Sequence, residues 1–67
     1  MTGTCVTKNT DRGFLFIKSD DGRTQYFCHV TAFRHKPDFR EIEVGDRLSF
    51  EAGEGAKGPC ALGVEPA

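Results

Sequence analysis

Apolar residues in this chain come in short, alternating runs cut apart by glycine, proline and aspartate. That pattern predicts strands joined by tight turns. The first strand is expected from Gly3 to Lys8. Asn9-Thr10-Asp11-Arg12-Gly13 follows as a turn, with Gly13 free to take a positive φ. Phe14 to Lys18 reads as the second strand and Thr24 to Val30 as the third. Asp20-Asp21-Gly22 between them is the strongest hairpin signal in the chain. A longer loop spans Thr31 to Gly45, where Pro37 forbids a regular strand. Arg47 to Ala52 is the fourth strand, glycine-rich Gly53 to Pro59 turns the chain, and Cys60 to Val64 is the last strand. No window of about 11 residues keeps a helical period without a glycine or proline break. The expected fold is all-β: a five-stranded antiparallel OB-fold barrel in one domain over residues 1–67. Closing the sheet removes the edges that a flat one would expose.

Alternation also sorts the side chains of the two central strands. If Leu15 and Ile17 point inward, Phe14 and Phe16 point outward together. On the third strand Tyr26, Cys28 and Val30 then fill the core, while Phe27 and His29 join the phenylalanines on the outer face. The opposite register, with the phenylalanines inside, is equally regular, so alternation alone leaves both open. An outward set would leave apolar rings in water, a pattern that marks a binding surface. Bases supply the matching partner, because each has a π-face and stacking on an aromatic is worth about 1–3 kcal/mol per base. Single strands fit better than duplexes, whose bases already stack on one another.

Composition bounds the remaining classes. The chain has 67 residues, too few for a catalytic domain beside a second one. No apolar run approaches the roughly 18 residues of a membrane span, and Met1-Thr2-Gly3-Thr4 lacks the basic-then-apolar pattern of a secretory signal. A membrane partner and a small-molecule substrate are therefore not expected, and the cytoplasm is the expected location. Cys5, Cys28 and Cys60 form neither an even set nor a C-x-x-C pair, so reduced thiols packed as small apolar residues are expected, with no cofactor and no metal. The net charge of −1 is unhelpful for binding phosphate. The acids, however, concentrate at Asp20-Asp21 and from Asp38 to Glu54, whereas Lys8, Arg12 and Lys18 lie near the aromatic segment, and local field outweighs the total. His29 has no nucleophile beside it in its strand, so a stacking role is expected and catalysis is not. Gly53-Glu54-Gly55-Ala56-Lys57-Gly58 lacks the spacing and the following Ser or Thr of a P-loop.

The segments Arg12 to Ile17 and Tyr26 to Val30 resemble the paired signatures of the bacterial cold-shock proteins. Gly55-Ala56-Lys57-Gly58-Pro59 and Val44-Gly45-Asp46-Arg47-Leu48-Ser49-Phe50 are similar to two further motifs of that family. The resemblance spans essentially the whole chain. It implies an OB barrel with the phenylalanines outward, single-stranded RNA and DNA binding of low sequence specificity, and an RNA-chaperone or antitermination role without enzymatic activity. Carried over by position, Phe14, Phe16, Phe27 and His29 match the stacking residues. Arg12 takes the place of a phosphate-contacting lysine, and Asn9, Phe39 and Lys57 match further interface positions. Several positions depart from the pattern. Thr7 and Lys8 stand where the family has first-strand aromatics, Leu15 replaces a glycine and Val30 a phenylalanine. Lys8 is expected to offset the lost stacking through a phosphate contact, and a weaker or shorter-footprint binder is expected overall. A monomer is expected, with a homodimer or strand swap as the alternative assembly. The competing reading is a protein-interaction module on the same barrel, possibly cut from a longer chain.

Overall fold

The computed structural model describes residues 1–67. Five strands, β1 (Thr2–Asn9), β2 (Phe14–Ser19), β3 (Gln25–His29), β4 (Arg47–Gly55) and β5 (Gly58–Pro66), close into a barrel in the order β1-β2-β3-β5-β4. The all-β, five-stranded barrel expected from the sequence is the observed fold. Four of its seams are antiparallel. The fifth, β3 against β5, is parallel and rests on one pairing, Phe27 with Cys60.

Boundaries differ from the sequence reading in three places. The third strand ends at His29, and Val30–Ala32 makes a single 3₁₀ turn. Within the long loop, Asp38–Glu41 winds one turn of helix, α1, directly after Pro37. Proline suits a helix start because its missing N–H is one that the first turn leaves unpaired anyway. The fourth and fifth strands run further than expected and meet in a tight hairpin, with Gly55 opposite Gly58 across Ala56-Lys57.

The interior follows from alternation. Leu15, Ile17, Cys5, Cys28, Leu48 and Val64 are completely buried, and Phe33, Phe39, Ile42, Phe50 and Ala61 complete the core. Tyr26 packs its ring on Phe50 at a centroid distance of 5.0 Å, and Val30 packs on the same cluster, as expected for inward positions. The β2–β3 hairpin is held by its own polar side chains: Asp21 accepts from Ser19 Oγ at 2.5 Å and from the Arg23 amide at 2.9 Å. These bonds pull the Asp21 carboxyl below its ordinary range.

One irregularity shapes the outer end of β1. The β1–β2 register slips between Cys5 and Thr7, leaving Val6 as a bulge. Beyond the bulge Thr7 stands opposite Phe16 and Lys8 opposite the buried Leu15. Lys8 is thereby aligned with the inward set of β2.

Candidate nucleic-acid interface

The aromatic face is built by β2 and β3. Their register sets Phe14 against His29, Phe16 against Phe27 and Lys18 against Gln25. With Leu15, Ile17 and Cys28 sealed inside, all six of these partners lie on the outer surface. Phe14, Phe16 and Phe27 are half-buried, His29 is exposed, and the phenylalanines-outward register is the one observed. The three phenylalanine rings form a closed triangle with centroid separations of 5.4, 5.7 and 5.9 Å, and His29 lies 6.5 Å from Phe27. Phe16 packs edge-to-face on both Phe14 and Phe27, and Phe14 and Phe27 lie tilted at 35° to each other, so each ring is braced by the other two.

The turn leading into Phe14 is equally fixed. Asn9 Oδ1 accepts from the Arg12 amide at 3.0 Å, and the Asn9 carbonyl accepts from the Gly13 amide at 3.0 Å. Gly13 takes a φ of 74° there, and its carbonyl accepts from the Val30 amide at 2.8 Å. Asn9 thus builds the loop that presents Arg12, which is exposed and forms no ion pair.

The family whose model matches residues 1–67 is the "cold-shock" DNA-binding domain. The chain belongs to the cold-shock domain family. It is 38% identical to the cold shock-like protein CspG of Escherichia coli K12 over 64 residues, covering 96% of this chain and 90% of that protein. It is 39% identical over 62 residues to the probable cold shock protein A of Mycolicibacterium smegmatis, covering 92% and 91% of the two chains. The cold shock protein of Arthrobacter globiformis matches equally, at 39% over 62 residues. The family is a nucleic-acid-binding one.

Two expected interface residues sit elsewhere. Phe39 is buried in α1, its ring edge-on to Phe33 at 5.8 Å, so it belongs to the core and does not join the ring triangle. Lys8 donates to the Ile42 carbonyl at 2.6 Å and lies 4.8 Å over the Phe39 ring. The bulge at Val6 is the cause, because it turns Lys8 away from the face that Phe14 and Phe16 share. Lys8 therefore ties β1 to the end of α1 instead of standing among the rings.

Lys57 lies beside the rings: its ammonium is 5.1 Å over the Phe27 ring, from the tip of the β4–β5 hairpin. Lys18 was legible only as a nearby charge, yet it shares the outer face of β2 with Phe16. On the far side of Phe27 the sequence reading missed a cleft of ≈380 Å³, bordered among others by His29, Thr31, Lys57, Cys60 and Leu62. Cys60 is half-buried on this outer surface, so only Cys5 and Cys28 are the sealed thiols that the sequence suggested. Burial pushes the Cys28 thiol up to about 12 and raises Cys5 as well. Alternation about the buried Ala61 on the expected last strand, Cys60 to Val64, turns Cys60 and Leu62 outward and is the signal that could have found them. No helix is long and apolar enough to cross a membrane.

Proposed function

We propose that this protein binds single-stranded RNA or DNA by stacking bases on Phe14, Phe16, Phe27 and His29. The observation that carries the reading is the triangle of three pre-packed rings on the outer face, beside an imidazole. A stacked base covers an apolar ring that water otherwise meets, at about 1–3 kcal/mol per base. Arg12 and Lys57 flank the rings and contact phosphate, and Lys18 extends the cationic edge along β2. Holding bases on the protein keeps the strand unpaired, which melts weak secondary structure without ATP. The role is that of an RNA chaperone or a regulator of transcription or translation in the cytoplasm, acting as a monomer and without catalysis.

Thr7 opposite Phe16 leaves the β1 side of the face without a ring. The footprint is accordingly short on that side. Fluorescence polarisation with a labelled oligo-dT or oligo-U at low salt tests the proposal. Saturable binding that is lost in the Phe16→Ala, Phe27→Ala double variant is the expected result. Undiminished binding in that variant would overturn it. Affinity that ignores added salt would favour a protein-interaction module instead, since phosphate contacts release counterions.

A further inference from the structure

A second hollow, of ≈350 Å³, opens where the ring face ends, bordered by Val30, Lys36, Pro37, Phe39 and Arg40. Val30 follows directly on His29, and its amide donates to the Gly13 carbonyl at 2.8 Å. The hollow therefore begins beside the turn that carries Arg12 and Phe14. Val30 stands where the cold-shock pattern has a phenylalanine, and Phe39, only 4% exposed, has turned inward onto Phe33. Neither offers a base a ring. What remains at the rim is charge. The Phe39 and Arg40 amides donate to the Lys36 and Pro37 carbonyls at 3.1 Å, and this one turn brings the exposed Lys36 and Arg40 side chains to the same hollow. The chain's ion pairs are Arg34 with Glu65 and Arg47 with Asp20, so neither of these cations is neutralised. Asp38 and Glu41 lie on the same turn but do not border the hollow. Lys8 donates to the Arg40 and Ile42 carbonyls and fixes the backbone there.

Resting on the stacking reading above, we propose that this hollow takes the terminal phosphate of a bound strand. A phosphomonoester carries about −1.5 to −2 charge at neutral pH, more than a phosphodiester within the strand. The Arg40 guanidinium forks onto two of its oxygens, and Lys36 supplies a point charge. The last base rests on the rings at Phe14 and His29, and the end phosphate steps past Val30 into the hollow. An anion site thus closes the footprint on the side where a ring would otherwise prolong it.

The test uses a short oligo-dT with a 5′-phosphate, with a 3′-phosphate, or with hydroxyls at both ends. Each form competes against one labelled oligo-dT in fluorescence polarisation. One of the two phosphorylated forms is expected to bind about fivefold better than the hydroxyl form, the size of one net hydrogen bond. Only one end of the strand passes His29, so the phosphate at the other end is expected to add little. The Lys36→Gln, Arg40→Gln double variant is expected to lose the gain while still binding the hydroxyl form. Arg23→Gln removes an exposed cation from the β2–β3 hairpin, away from the hollow, and is expected to keep the gain. Equal affinity for all three forms would overturn the end site and leave the stacking reading intact. So would an equal gain at both ends, or a gain that survives in the double variant, because each reports net charge alone. Failure of every oligonucleotide to bind would overturn both readings.

Discussion

The Lys8 ammonium donates to the Ile42 carbonyl at 2.6 Å, so a charged side chain of β1 caps the end of α1. The ammonium also lies over the Phe39 ring, and the Arg40 carbonyl at 3.4 Å is a second, longer acceptor. Carbonyls at a helix end lack intrahelical partners and favour a cation. Lys8→Met keeps the stem and removes the donor. The expected outcome is a loss of about 1–2 kcal/mol in urea denaturation, with oligonucleotide affinity essentially unchanged. A drop in affinity at constant stability would place Lys8 at phosphate after all.

The outer rings and the inner aliphatics of β2 should separate cleanly in a mutant series. Phe16→Ala is expected to weaken oligo-U binding by about 1–3 kcal/mol. Leu15→Ala, one residue away but fully buried, should cost about 2–5 kcal/mol of stability. Paired titration and urea melts on both variants check this. A Phe16→Ala protein that unfolds as readily as Leu15→Ala while binding normally would reverse the assignment.

Lys57 is expected to contribute one phosphate contact once it leaves Phe27. Lys57→Gln should weaken binding at low salt and flatten the dependence of log affinity on log salt by about 0.7. Titrations at several salt concentrations read the slope, and an unaltered slope would mean that this amine never meets phosphate.

Alkaline pH should reveal the buried thiols. Cys28 titrates near 12 in the folded barrel, whereas its unperturbed value is 9.0. The folded state therefore keeps a proton that the unfolded chain releases. The stability linked to it is complete below about pH 9 and is lost as pH rises toward 12. The fall reaches about 1.4 kcal/mol per pH unit for one thiol. Urea midpoints measured across this range in wild type and Cys28→Ala isolate the contribution. Parallel pH profiles would refute it.

How much of this was legible follows from the period of a strand. Leu15 and Ile17 alternate with Phe14 and Phe16, and that rhythm, once the family resemblance chose its phase, placed the ring triangle. The turn at Asn9 to Gly13 and the hairpin at Asp20-Asp21-Gly22 were equally plain, because glycine and aspartate have local reasons to sit there. The Val6 bulge was not legible. One extra residue leaves no mark in a short run, yet it sends Lys8 to α1. Phe39 likewise reads as an interface aromatic until Pro37 starts a helical turn that folds it onto Phe33. The β4–β5 hairpin was shortened in the reading because glycines at 53, 55 and 58 look like loop. Gly53 and Gly55 leave space beside Cys60, and Gly58 takes the positive φ that closes the hairpin, which only the paired strands disclose.

The parallel seam between β3 and β5 has a mechanical meaning. Backbone pairing joins these strands only at Phe27 and Cys60, so the cylinder is zipped most thinly directly beneath its sticky surface. On the stacking proposal, a polymer draped from one lip of that join to the other would act as a clasp, so that loading the protein would also hold the cylinder shut.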